Sequence, residues 1–406
     1  MAIHFTPSTP VITDLTLPLH EVRPAGPEQT EQRSTFWPAE WYPQSGVQLT
    51  WPHAATDWAP ILDEVTKCYV TLAFEIASRE QLLIVTPEPE AVSRLLNEKL
   101  PSRLLPNIRF AKIDTNDTWA RDHAFLTLIT SKGPRLLDFQ FNGWGGKFNA
   151  ELDNAINLKL VTPEQAALPP TASLPPTGGV GEGPLNGTYE SHLDFVLEGG
   201  SIESDGAGTI LTTESCLLAP HRNQPLTKAD IEERLLRWFH ADRLVWLTHG
   251  HLEGDDTDGH IDTLARFCLG GAIAYVQCSD PSDPHFDDLR LMEEELQAFA
   301  AEHDRQLYPL PMPDAICDPD DGHRLPATYA NFLVINGAVL MPTYGQPVND
   351  EKARRQLQRA FPRHEIVNID SRILIRQHGS IHCSAMQYPK GVIKDPPPTP
   401  PVKGGE

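Results

Sequence analysis

The sequence has few of the marks of a membrane, secreted or zinc-stapled protein. No apolar run among its 406 residues approaches the roughly 20 that a spanning helix needs. Met1 to Pro10 carries neither a basic nor an apolar stretch, so no signal peptide is expected and the chain reads as cytoplasmic. Its six cysteines (Cys68, Cys216, Cys268, Cys278, Cys317 and Cys383) form no C-x-x-C pair and no zinc-type spacing. Most of them therefore read as small buried hydrophobes in a reducing compartment. Positive charge is scarce too, with 33 Lys and Arg against 55 Asp and Glu, a formal net charge of −22. That balance argues against nucleic acid and anionic membranes as partners, because their phosphates would be repelled. It suits a cationic small molecule, although an acidic coat that serves solubility explains it equally well.

What is present is an ordinary globular composition, 40% hydrophobic and 22% charged, long enough for a large core. Residues 1–34, rich in Pro, Thr and Glu, read as a poorly ordered lead-in, and the Pro-rich stretch 394–406 as a disordered tail. Between them, 35–393 reads as one domain, interrupted at 162–187 by a Pro- and Gly-rich surface excursion. Thr227 and Asp230 announce a capped amphipathic helix bearing Ile231, Leu235, Leu236 and Phe239. Helices are also expected over 284–303 and 349–361, the second capped by Asn349 or Asp350. Strands are expected at Leu82–Val85, Ile210–Thr213, Ile273–Cys278 and Val339–Met341.

A weaker regularity joins these elements. The segments Asp122–Phe141, Gly199–Cys216, Gly259–Cys278 and Tyr329–Tyr344 share a polar or Gly-containing start, a strand, a Gly turn and a second strand, and Gly379–Met386 begins another. Starts recur at roughly 50 to 80 residues, as expected of a supersecondary unit repeated around a ring. The starts also hold the chemistry. Asp117-Thr118-Trp119-Ala120-Arg121-Asp122 opens the first, Glu198-Gly199-Gly200-Ser201 the second, Asp255 to Asp262 with His260 the third, and Gly379-Ser380-Ile381-His382-Cys383 the last. An aromatic, several carboxylates, a histidine and a cysteine would thus converge on one cavity.

That set fits a guanidinium, which is planar, permanently charged and presents five N–H donors in a fixed fork. Opposed carboxylates would hold the fork by charge-assisted bonds and leave the central carbon open to attack. A thiolate is a better nucleophile than water there, and a histidine would protonate the departing ammonia. No metal or organic cofactor is required.

The sequence resembles the agmatine deiminase family, whose wider group includes bacterial peptidyl-arginine deiminases. The matching stretches are WPAEWYPQSGVQLTWPH (37–53), DTWARD (117–122), LDFQFNGWGGK (137–147), LEGGSIE (197–203), DDTDGHIDTLARF (255–267), LPMP (310–313), YANFLVINGAVLMP (329–342) and GSIHCSAMQ (379–387). They run in family order over about 350 residues. The resemblance implies an α/β fold, a five-bladed pseudo-symmetric propeller (pentein) of ββαβ units. It implies Cys383 as nucleophile, His260 as general acid and base, Glu198 as the group that orients and charges the histidine, and Asp122 and Asp262 as the guanidinium grip. Trp119 would wall the pocket, with Asp256 and Asn331 as further substrate-facing residues. The expected substrate is agmatine, the products N-carbamoylputrescine and ammonia, and the expected assembly a homodimer.

Some residues depart from the family pattern: Gln377-His378-Gly379-Ser380 before the closing Ile-His-Cys, His123 after the Arg-Asp pair, and Gln44-Ser45 near the N-terminus. They leave the substrate's tail open. A free or C-terminal peptidyl arginine would want an Arg or Lys for its carboxylate, an amine tail would want Asp or Glu, and the run Glu253, Asp255, Asp256, Asp258 favours the amine. A metal-dependent hydrolase built on His249, His251 and Glu253 is a remoter reading, because no second histidine-rich cluster accompanies them.

Overall fold

A computed structural model describes residues 33–165 and 183–394. Most of the lead-in, the central part of the Pro- and Gly-rich excursion and the tail lie outside the described residues. The excursion leaves from a pinned root, because the Gln165 side-chain amide donates to the carbonyls of Leu185 and Gly187 at 3.0 and 3.1 Å.

Five separate sheets repeat one plan, an antiparallel pair followed by a third strand parallel to the second. The first blade runs Leu126–Thr130, Gly133–Gln140 and Thr188–Val196, with Thr35–Phe36 added at its edge. Ile202–Ser204, Thr209–Thr213 and Arg243–Leu247 make the second, and Ala265–Cys268, Ala272–Gln277 and Leu307–Pro311 the third. Leu333–Ile335, Ala338–Thr343 and Glu365–Asp370 make the fourth. In the last blade Ala385–Pro389, from the C-terminal end, pairs antiparallel with Gln44–Thr50 from the N-terminal end, which continues through Gln81–Thr86 to Ile108–Lys112. Chain ends thus share a sheet and close a five-bladed α/β propeller.

Helices make the parallel crossovers, since parallel neighbours cannot be joined by a tight turn. Lys228–Phe239 starts at a reciprocal capping box between Thr227 and Asp230 and buries Ile231, Leu235 and Phe239 against Ile210 and Leu244 of its blade. Each such side chain contributes about 1.5–3 kcal/mol by leaving water. Phe286–Glu302 follows the expectation for 284–303. Pro347–Ala360, however, begins before the expected cap. Pro347 opens the helix, where its missing N–H costs nothing, and Asp350 lies inside the first turn. Its carboxylate reaches back to the backbone N–H groups of Tyr344 and Gln346, so it serves the helix start without being the cap residue.

Blades meet along their first strands, Ile202–Ser204 beside Ala265–Cys268 and Leu126–Thr130 beside Ala385–Pro389. The segments that lead into those strands consequently face one another at the centre of the ring.

Candidate active site

Every blade delivers a lead-in residue to the same place, from the short segment just ahead of its first strand. Asp122 lies on the turn Ala120–His123, Glu198 precedes Gly199–Ser201, and His260 and Asp262 flank the start of Ile261–Thr263. Asn331 enters Leu333–Ile335, and Cys383 enters Ala385–Pro389. All six are buried. Two glycines permit the crowding. A Cβ on Gly200 would stand 2.6 Å from His260 Nδ1 and 2.9 Å from Asp122 Oδ1, and one on Gly379 would lie 2.2 Å from the Trp119 ring.

The histidine sits between two carboxylates, His260 Nδ1 3.7 Å from Asp122 and Nε2 3.8 Å from Glu198. These are ion-pair distances too long for hydrogen bonds, and neither ring nitrogen has a hydrogen-bond partner among the described residues. Burial works against a charged ring, but Asp122 and then Cys216 and Glu198 outweigh it and hold the imidazolium well above the usual histidine range. Burial works against Glu198 ionising as well, yet His260 and Arg222 keep its carboxyl below the ordinary value. Arg222 Nε donates to both Glu198 oxygens, at 2.8 and 3.2 Å.

The two remaining carboxylates differ. Asp122 accepts from Trp144 Nε1 at 3.0 Å and from the Gly200 N–H at 2.9 Å, while burial pushes its carboxyl up to about 6. Asp262 is held down, against burial, by the hydrogen bond from His382 Nδ1 at 2.7 Å. Its Oδ1 has no hydrogen-bond partner among the described residues, a buried acceptor left open. Cys383 Sγ lies 3.8 Å from Asp262 Oδ2 and receives the Asn331 amide at 3.2 Å. Burial first, then Asp262 and Asp122, drive its thiol well above the usual range. An added cation would relieve both carboxylates and bring the thiol down.

A second cluster lies beneath. His382 Nε2 meets Glu40 at 2.7 Å, and Arg266 joins Glu40 at 2.5 Å to Glu203 at 2.9 Å. Arg266 also donates to the Phe332 carbonyl at 2.7 Å, and Arg121 Nε to that of His382 at 3.3 Å. Burial, Arg121 and Arg266 push the His382 pKa down. Its two 2.7 Å contacts place a carboxylate oxygen against each ring nitrogen, so His382 bridges Asp262 and Glu40.

The structure brings Asp122, Glu198, His260, Asp262, Asn331 and Cys383 together. Asn331 touches Cys383 itself, its Oδ1 accepting from the backbone N–H of His382 and Cys383 at 3.0 and 3.3 Å. Trp119 is buried in the same apolar cluster as Cys383, against Gly379. Asp256 lies on a half-buried bend, its carboxylate 3.7 Å from His378. The acidic run around it is largely engaged: Asp258 pairs with Lys147 and Arg222, both at 2.8 Å, and Asp255 accepts from Thr257 and the Gly259 N–H. The run is therefore not a free field for an amine tail. His249 binds Glu295 rather than a metal-ready partner. Sequence reasoning missed Arg222, Cys216 and Trp144 as neighbours of the site. Trp144 lay inside a matching stretch and was visible; Arg222 and Cys216 lay outside all of them.

The Porphyromonas-type peptidyl-arginine deiminase family profile matches residues 36–389. An agmatine deiminase of Pseudomonas syringae pv. syringae is 33% identical over 377 residues, covering 87% of this chain and 95% of that one. Among solved structures, a C. jejuni agmatine deiminase with substrate bound is 36% identical with a TM-score of 0.76, covering 88% of this chain and 97% of the other. A Porphyromonas gingivalis structure, provisionally assigned as an arginine deiminase, is 45% identical with a TM-score of 0.78, covering 89% and 100%.

Proposed function

Because the chain belongs to the Porphyromonas-type peptidyl-arginine deiminase family, we propose that residues 35–393 form one catalytic domain that hydrolyses agmatine to N-carbamoylputrescine and ammonia. The observation that carries this reading is the pairing of two buried carboxylates, Asp122 and Asp262, beside a cysteine whose thiol needs a cation in order to ionise.

In this account the guanidinium enters between Asp122 and Asp262 and takes up the open Oδ1 of Asp262. Its charge lowers the Cys383 thiol, which gives its proton to solvent as the site fills. The thiolate forms a C–S bond to the guanidinium carbon, and the π electrons move onto nitrogen. His260, resting as imidazolium, protonates the leaving nitrogen, so the C–N bond breaks and ammonia departs. The neutral imidazole then takes a proton from water. Hydroxide adds to the carbon of the S-alkylthiouronium, the C=O bond forms as the C–S bond breaks, and the hydroxyl proton passes to the departing Cys383 sulfur, which restores the resting thiol. Glu198, fixed by Arg222, keeps the ring oriented and charged between turns.

A second reading, a free or C-terminal peptidyl arginine as substrate, is favoured by the engagement of Asp258 with Lys147 and Arg222. Steady-state ammonia release from agmatine, L-arginine and a peptide ending in arginine decides between them. Preference for agmatine, lost in Cys383→Ala, is expected. Preference for a carboxylate-bearing substrate would keep the chemistry and replace the substrate.

A further inference from the structure

The catalytic histidine and its Glu198 partner have a further neighbour that the reaction does not use. Cys216 sits on the short helix Glu214–Leu217, which follows the second strand of its blade and is started by the Thr213 side chain accepting from the Cys216 N–H. That start points the thiol at Glu198, with Sγ 3.9 Å from Oε2. His260 Nε2 lies 3.8 Å from the same oxygen. One ligand atom from each of Glu198, Cys216 and His260 lies within 4.8 Å of the others, and all three residues are buried.

We propose that Glu198, Cys216 and His260 form an inhibitory site for a borderline-soft divalent cation of the zinc type. A tetrahedral zinc with bonds of about 2.0–2.3 Å has ligand–ligand edges of roughly 3.3–3.8 Å. The two observed separations therefore need to close by only a few tenths of an ångström. The donor set of one thiolate, one imidazole and one carboxylate matches zinc and not calcium or magnesium, which take oxygen ligands. Both His260 nitrogens lack a hydrogen-bond partner among the described residues, so no existing bond must be broken at the ring. Glu198 keeps Oε1 for Arg222 at 2.8 Å while Oε2 turns to the metal.

A second trio of metal-ligating side chains, Glu40, Glu203 and His382, meets the same spacing but does not carry the argument. Arg266 already bonds both of its carboxylates, at 2.5 and 2.9 Å, and His382 is bonded at both nitrogens. Binding at the first trio releases one proton from the thiol and one from the imidazolium to solvent. A ring that holds a metal on Nε2 cannot return to the imidazolium that protonates the leaving nitrogen from the Asp122 side, and turnover stops. This site stands whether agmatine or another guanidine is the substrate.

Cobalt(II) titration of the chelator-stripped full chain tests the proposal through the thiolate-to-metal charge-transfer band, which needs no turnover. Wild type and Cys383→Ser are expected to develop the band and lose it when Zn²⁺ is added, and Cys216→Ser to lack it. Circular dichroism checks the fold of each variant, with Cys216→Ala as the second variant should the serine fail to fold. In parallel, Zn²⁺ should suppress ammonia release reversibly to chelator, with an inhibition constant at least about tenfold weaker in Cys216→Ser. Overturning results are a band that survives Cys216→Ser, one that disappears in Cys383→Ser, or none in the wild type.

Discussion

Two clusters of buried charge share a border at Asp262 and His382, and they differ in how completely they are satisfied. In the lower one, Glu40 and Glu203 are matched by Arg266, His382 bonds a carboxylate on each side, and Arg121 Nη2, 3.9 Å from Glu40, is the one side-chain atom among the described residues of that cluster without a hydrogen bond. In the upper one, His260 has no hydrogen bond at either nitrogen and Asp262 Oδ1 has none. Asp122, Glu198 and Asp262 outnumber His260 and Arg222, leaving an excess of negative charge in a site that water reaches poorly. A buried ion cluster whose charges are balanced by their partners fixes geometry. One that is a cation short has a reason to bind a cation. Burial does not distinguish the two; saturation does.

The largest effect on activity is expected at Cys383. Its replacement by Ala should lower kcat/KM for the preferred guanidine by about 10⁴-fold or more, measured as ammonia release. The largest effect on stability belongs to the lower cluster. Arg266→Met leaves Glu40 and Glu203 without their main partner, and chemical denaturation should report a loss of about 3–5 kcal/mol. If that variant kept wild-type stability, the division between the clusters would be wrong. Asp262→Asn crosses the border and should cost about 10- to 150-fold in kcat/KM, the worth of one charge-assisted bond, with little change in stability.

pH sharpens the same contrast. Asp122 titrates at about 6 and must be ionised to grip a cation, so kcat/KM should fall as pH drops through that value. The sign follows from the substrate, which stays charged throughout. A profile flat down to pH 5 would remove Asp122 from the grip. The smallest effect is remote from both clusters: Thr227→Ala removes half of the capping box and should cost about 1 kcal/mol without altering kcat.

The sequence made Cys383 and His260 legible because each sits in a short, dense motif next to the strand that presents it. The ring was legible only as a faint recurrence, since the closure between Gln44–Thr50 and Ala385–Pro389 joins opposite ends of the chain. Arg121, Glu203, Arg266, His382 and Glu40 all lay within the matching stretches, yet nothing local told them from catalytic groups. Their partners come from other blades, as with Arg266 and Glu40, and only the fold says which charges are already paired. The acidic run was over-read in the other direction at Asp258, because a run of acids in sequence is not a field of acids in space when Lys147 and Arg222 reach into it.

The central claim is that the upper cluster lacks one positive charge and that the substrate supplies it. Ultraviolet difference absorbance of the thiolate, wild type minus Cys383→Ser, measured across pH with and without saturating guanidinium ion, tests it directly. Without guanidinium the Cys383 thiol should remain protonated beyond the ordinary thiol range, and with it the titration should move to lower pH. A titration curve that guanidinium leaves in place would contradict the account.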